Sequence, residues 1–461
     1  MRRLFVSFLL ICCLAEWLVA QQPSKPTDKT IAITHVTVID PKSASVKRDV
    51  TVVIRGDHIV MVRMSRVNEI AKAATAIDGR GKFLIPGLWD MHVHVGTSDY
   101  EKQQILRLFI TQGVTGIRIM NGRPKHHLWR QEIERGDLLG PRMVIASRVI
   151  AGPTSFSSSA VKVNNAEEAR AAARQAQAED ADFIKVHDGL SRESYFAIID
   201  EAKKLRLTVA GHVPESITAA EASNAGQKSI EHFTGLIEAA NDSAKADALI
   251  PVLKKNHTWL CPTLIMIRNY SVLDDPSLAN DPRLRYLNQG WKGWWLDMTR
   301  DANKMPATEW AARKETVRKG KALVARFQKA GVQILTGTDD SNPFVVPGFG
   351  LHDELAMLVE SGLSPMEALR AATENPAEFL QQTKTGSLET GHFADLVLLD
   401  ANPLEDIHNT TRISAVIVRG HVFDRPALDA MLMAIEGAAT SSEFAAPTSP
   451  ASDRCVSQMC R

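Results

Sequence analysis

From residue 87 to about residue 386 the chain alternates short apolar runs with amphipathic stretches, and this alternation restricts the fold more than any other feature. Runs at 116–120, 143–147, 182–187, 208–212, 229–232, 259–264 and 333–338 read as strands, while 166–179, 191–205, 217–225 and 313–330 carry helical spacing. Strand and helix repeated in this way predict parallel strands joined by crossover helices. The number of units approaches eight, which predicts an α/β fold of the (β/α)8 TIM-like barrel type across 87–385.

The flanks read differently. Before residue 86, β-rich runs at 31–39, 50–54, 58–62 and 82–85 are broken by turns, among them Arg55-Gly56-Asp57. Similar runs return after 386, in Leu396-Val397-Leu398-Leu399 and Ala415-Val416-Ile417-Val418. Sheet segments on both sides of a barrel predict one small β-sandwich domain formed from 28–86 plus 386–430. From 437 to 461 the composition turns to Ala, Ser, Thr and Pro, and a flexible C-terminal tail is expected.

Arg2 and Arg3 precede an apolar run that ends at Leu18-Val19-Ala20, the layout of a signal peptide cleaved near residue 20. The expected location is therefore exported, periplasmic or secreted, with no stable membrane insertion after cleavage. A retained membrane anchor is the alternative, although the run is short and Glu16 interrupts it. Lys plus Arg number 54 against 53 Asp plus Glu, so the net charge of +1 exerts no general pull on nucleic acid. The expected partner is a small-molecule substrate, and a homo-oligomer is compatible with the composition. Removal of the leader would leave Cys261, Cys455 and Cys460. The last two could close a small loop in the tail, and Cys261 reads as an apolar filler.

In Trp89-Asp90-Met91-His92-Val93-His94 two imidazoles lie two residues apart, on one face of an extended backbone. A pair aimed at one point suits a divalent metal, although alternating histidines also occur on ordinary half-polar strands. In barrels the chemistry sits where strands end at the C-terminal rim. Four more polar residues fall near expected strand ends: Lys185 in Phe183-Ile184-Lys185-Val186, His212 in Gly211-His212-Val213-Pro214, His232 in Ser229-Ile230-Glu231-His232 and Asp339 in Gly337-Thr338-Asp339.

In this order the motifs resemble the amidohydrolase superfamily of metal-dependent hydrolases, and within it the exported Xaa-Pro dipeptidase-like and imidazolonepropionase-like group. Ser364-Pro365-Met366-Glu367-Ala368-Leu369 and Gly391-His392-Phe393-Ala394-Asp395-Leu396 add to the likeness, which covers nearly the whole mature chain. The resemblance implies two divalent metal ions, zinc in the first instance. His92, His94 and Asp339 would bind one, His212 and His232 the second, and carboxylated Lys185 would bridge them. An unmodified lysine would set a cation beside cations, so Lys185 fits as a carbamate anion or pointing away.

The same resemblance implies hydrolysis of a C–N amide bond in a small molecule, such as an Xaa-Pro dipeptide or an N-acyl amino acid. Asp339 would act as general acid and base. A mononuclear cyclic-amide or lactone hydrolase is the alternative; a non-catalytic binding protein would be expected to lack ligands that are present here. His187 shares a face with Lys185 and could contact substrate or cap its loop. Asn121, Arg118 and Arg148 fall at strand ends, where an arginine could pair with a substrate carboxylate or simply be solvated. His126, His127, His257 and His352 lack strand-end context and read as surface or loop residues. Residues 269–312 interrupt the alternation with Trp291, Trp294, Trp295 and Trp310. They form either a lid that shapes a pocket or an insertion packed on the rim.

Overall fold

The computed structural model describes residues 29–65, 74–155, 157–302 and 304–444. The expected leader and the cysteines at 455 and 460 lie outside the described residues. The chain opens with β1 (Thr30–Asp40), β2 (Ser45–Arg55), β3 (His58–Met64), β4 (Ala74–Asp78) and β5 (Phe83–Pro86). Gly56, at a φ of 60°, makes the tight turn between β2 and β3 expected from Arg55-Gly56-Asp57. β4 was not expected, because Ala74-Thr75-Ala76-Ile77 carries little apolar alternation; it is held in parallel against the first half of β1.

Only Gly87 separates β5 from β6 (Leu88–Val93), the strand that carries His92. Parallel pairing runs from β6 to β7 (Val114–Ile119) and β8 (Arg142–Ile145). After the short strands β9 (Ile150–Ala151) and β10 (Val161–Lys162) come β11 (Phe183–Val186), β12 (Thr208–Gly211), β13 (Gln227–Glu231) and β14 (Trp259–Cys261), again parallel. Single parallel bridges extend this order: Ala146 to Phe183 beyond β8, Leu260 to Ile334 beyond β14, and Asp340 back to Val93 in β6. Between neighbours lie helices such as Ala166–Ala178 and Arg192–Leu205, begun by side-chain caps from Asn165 and Ser191. This is a TIM-barrel-like α/β fold.

The run at 333–338, expected as a strand, pairs only through those bridges. Its backbone is diverted at Asp339 and Ser341, with φ of 57° and 72°. Immediately before them, a Cβ on Gly337 would fall 2.4 Å from Cys261 Sγ and 2.8 Å from His92 Cβ. The segment lies so close to β6 and β14 that only glycine fits there.

The chain returns to the first sheet with β15 (Leu396–Leu399), β16 (Ile413–Val418) and β17 (His421–Asp424). β15 pairs antiparallel with β5, so one eight-stranded sheet is built from both ends of the chain. Ile31, Ile33, Val52, Ile54, Leu396, Leu398 and Ile417 form an apolar cluster within it. The expected tail beginning at 437 needs correction: the helix Arg425–Thr440 runs through that point, followed by a short turn at Ser442–Phe444. Asp424 caps the helix through Ala427 N, and Leu428, Ile435 and Ala439 bury one face. Phe444 then rests on Tyr100, with ring centres 5.4 Å apart. No helix among the described residues is long and apolar enough to cross a membrane.

Candidate metal centre

The alternation along β6 sends His92 and His94 to the same side, and their rings lie 5.3 Å apart. His232 follows directly on β13 in a left-handed conformation (φ 60°), which swings its ring across to 4.7 Å from that of His92. His212, directly after β12, lies 5.0 Å from His232. Asp339, also left-handed, completes the group. Its Oδ1 is 3.0 Å from His94 Nε2 and 3.5 Å from His92 Nε2, and its Oδ2 is 3.7 Å from His232 Nε2. Non-glycine residues rarely occupy this backbone region, and two of them at one site point to a geometry held for function.

A second layer orients the rings. Glu231 Oε2 accepts from His92 Nδ1 at 2.8 Å, while Oε1 accepts from Arg118 Nη2 at 2.8 Å and from the Ser229 hydroxyl. Thr263 Oγ1 lies 2.6 Å from His232 Nδ1. Where these groups accept from Nδ1, the tautomer leaves Nε2 bare and facing the centre. Asp90 accepts from Thr338 Oγ1 and from the backbone of His92 and Thr338; Asp340 Oδ1 accepts from His94 N at 2.8 Å. Thus the end of β6 that carries His92 and His94 and the segment that carries Asp339 are tied to each other through buried carboxylates.

Burial is the main cause that pushes His92 and His212 well below the usual imidazole range, and the positive charge of Lys185 acts in the same direction on both. Burial also brings His232 down to about 4, partly opposed by Asp339. Burial alone would raise the Asp339 carboxyl, but the charges of His232 and His94 hold it below the usual carboxylate range. Burial thus favours the neutral, metal-binding form of His92, His212 and His232, while Asp339 favours its anion. Asp90 behaves oppositely: desolvation lifts it to about 7.

Four of the residues expected from sequence, His92, His212, His232 and Asp339, meet here, with His94 at their edge and Lys185 buried close enough to depress three imidazoles. His187 is also near, its ring stacked 3.7 Å from that of His212 and its Nδ1 bonded to Asp188. Asn121 Nδ2 donates to Ser159, and its Oδ1 accepts from Arg123, bonds that tie loops together. Arg148 is exposed. Arg118, considered for a substrate carboxylate, is instead fully buried on Glu231, Ser229 and the Met91 carbonyl. From β7 its guanidinium reaches inward to groups on β6 and β13 rather than out to solvent.

His126 and His352 are not surface residues. His126 reaches the Gly96 carbonyl, and His352 reaches Thr410 and the Gln112 carbonyl. The tryptophans of the insertion pack it onto the rim: buried Trp291 donates to Glu101 Oε1 at 3.1 Å, and buried Trp295 to the Ser341 carbonyl at 3.1 Å. The supporting roles of Glu231, Arg118, Asp90, Asp340 and Thr263 are not evident from the sequence. Glu231 alone had a signal, its place beside His232.

The donor set fits a cation. Nε2 of His92, His212 and His232 and both oxygens of Asp339 are buried without a hydrogen-bond partner among the described residues. A buried polar atom left unmet costs about 1–3 kcal/mol, so several of them in one group of rings need a shared ligand. Donor atoms of His92, His232 and Asp339 all lie within 4.8 Å of one another, in reach of one ion.

A buried nitrogen and carboxylate site at the ends of barrel strands defines a metal-dependent hydrolase. The comparisons agree and name the family. Residues 83–423 match the model of the amidohydrolase family, and the chain belongs to it. A Bifidobacterium longum protein described as a prolidase superposes with a TM-score of 0.70 at 27% identity, covering 89% of this chain and 100% of the other. Ochratoxinase from Aspergillus niger is 26% identical over 389 residues, 70% of this chain and 71% of its own length. Bottromycin amidohydrolase shares the fold, with a TM-score of 0.74 at 24% identity over 89% and 91% of the two chains. The protein is a metal-dependent amide hydrolase, acting on C–N bonds.

Proposed function

We propose that the chain is an exported binuclear hydrolase that cleaves the amide bond of a small acyl amino acid, with an Xaa-Pro dipeptide or an N-acyl amino acid as the leading class. The convergence of bare imidazole Nε2 atoms on Asp339 carries this reading. In it His92, His94 and Asp339 would hold one divalent ion, zinc in the first instance, and His212 and His232 a second. A carboxylated Lys185 would hold both. Bound divalent ions supply Lewis-acid polarisation of a carbonyl and water of lowered pKa.

The protein supplies the rest. Asp339, whose carboxyl lies below the usual carboxylate range, takes the proton of the attacking water on a carboxylate oxygen and returns it to the departing nitrogen. Glu231 and Thr263 fix the rings of His92 and His232, so the carboxylate and the imidazoles meet substrate already oriented. His187, whose ring lies 3.7 Å from that of His212, is the candidate for substrate contact on that side of the centre. Arg148 and Asn121 are the candidates for substrate recognition at the loop after β8 and the loop after β7. The compact His92, His232 and Asp339 set favours a one-ion centre as the second reading.

The test is hydrolysis of a panel of Xaa-Pro dipeptides, N-acyl amino acids and lactones, together with metal content in Lys185→Ala. Cleavage of an amide class, and loss of metal from the variant, support the proposal. Turnover of lactones alone rejects the amide assignment, and full metal content in Lys185→Ala rejects the bridging role.

A further inference from the structure

The insertion borders a half-open cavity of about 170 Å³. Trp295, Phe344, Leu284 and Leu296 form its apolar walls, with the rings of Trp295 and Phe344 5.4 Å apart. Two cations line it as well, Lys292 and Arg285. Arg285 has the Tyr286 hydroxyl at 2.8 Å and Glu436 only at 3.8 Å. Lys292 is half-buried, and among the described residues its ammonium has no hydrogen-bond or ion-pair partner. Burial without a counter-charge holds the Lys292 ammonium below the usual lysine range.

A pocket with apolar walls and an unmatched cation at its wall selects by both size and charge. Cavities of about 150 Å³ with apolar walls take up a single benzene ring. We infer that this cavity binds a monocarboxylic acid with a single-ring or short branched body, the ring against Trp295 and Phe344 and the carboxylate on Lys292 and Arg285. A neutral analogue would leave Lys292 unmatched, and an amine would add to the positive charge. A fused polycyclic acid exceeds the volume. None of the residues lining it is a donor at the metal centre, and binding there requires no turnover.

The experiment is calorimetric titration of the full-length, metal-loaded protein with phenylacetate, 2-phenylethanol and 1-pyrenebutyrate, repeated on Lys292→Gln, Lys292→Glu and Lys292→Arg. Thermal melting checks that each variant folds. Phenylacetate should bind saturably, whereas the alcohol and the pyrenyl acid should not. A charge-assisted contact of this kind changes affinity by about tenfold or more. Lys292→Gln should therefore weaken phenylacetate about tenfold and Lys292→Glu further, while Lys292→Arg retains binding. An affinity that survives Lys292→Glu places the acid elsewhere, the metal centre included, and overturns the inference. So does equal binding of the alcohol, or no saturable binding of phenylacetate.

Discussion

Replacing Glu231 by Gln separates two consequences of one buried carboxylate. Its side chain is fully buried, and it accepts from His92 Nδ1 and Arg118 Nη2, each at 2.8 Å, and from the Ser229 hydroxyl. Gln keeps the volume but not the charge, so Arg118 is left as a buried cation without its counter-ion. Breaking a buried pair from one side costs about 3–5 kcal/mol. Loss of the charged acceptor also frees the His92 ring, and disturbing such an outer partner lowers metal affinity about 10- to 100-fold.

The double variant Glu231→Leu with Arg118→Met tells the two apart. With both charges gone, the interior is apolar and the stability loss is largely recovered. His92 Nδ1 still lacks its acceptor, so metal affinity stays low. Urea denaturation of the metal-free protein reads the first quantity, and competition with a chelator reads the second. If Glu231→Gln alters neither, or if the double variant regains metal affinity, the assigned role of Glu231 as the ring-orienting acceptor is refuted.

Asp339→Asn should fold normally but lose about 10²- to 10⁴-fold in turnover, the range of an acid–base group; unimpaired hydrolysis would remove Asp339 from the chemistry. Thr263→Val deletes the partner of His232 Nδ1 and should lower metal affinity about 10- to 100-fold with little change in melting of the metal-free chain; unchanged chelator competition would argue against it. Glu354 is buried between the Leu264 and Ile265 amides, and desolvation lifts its pKa to about 8. The folded chain therefore holds a proton there that the unfolded chain releases near the ordinary glutamate value, so this group loses stability as pH rises from about 4.5 to about 8. Relative to wild type, Glu354→Gln should fare better at pH 8 than at pH 5, as followed by melting temperature; the opposite trend would contradict the raised pKa.

The residues that face the metal centre were legible because each ends an apolar run, and in a barrel strand ends share one rim. Their supports were not, because they are defined by adjacency across the fold: Arg118 and Glu231 are 113 residues apart, His92 and Glu231 139. Arg118 misleads for the same reason, since a lone arginine at a strand end gives no sign of a carboxylate waiting inside. The segment before Asp339 looks like a strand by composition, yet the close approach at Gly337 and the left-handed turn that follows reduce it to bridges. The helix at Arg425–Thr440 was hidden in part by an Ala-rich and Ser-rich ending, although Asp424 and Pro426 carry the signals of a helix start.

In the proposed centre the rings of His92, His94, His212 and His232 with Asp339 and Lys185 hold metal for amide hydrolysis. Metal content per chain on purified full-length protein, measured alongside cleavage of an N-acyl amino acid, tests it most directly. The account predicts about two equivalents of a divalent ion with turnover that a chelator abolishes and zinc restores. A chain that takes up no divalent ion, or that hydrolyses the amide equally well after chelation, would contradict it.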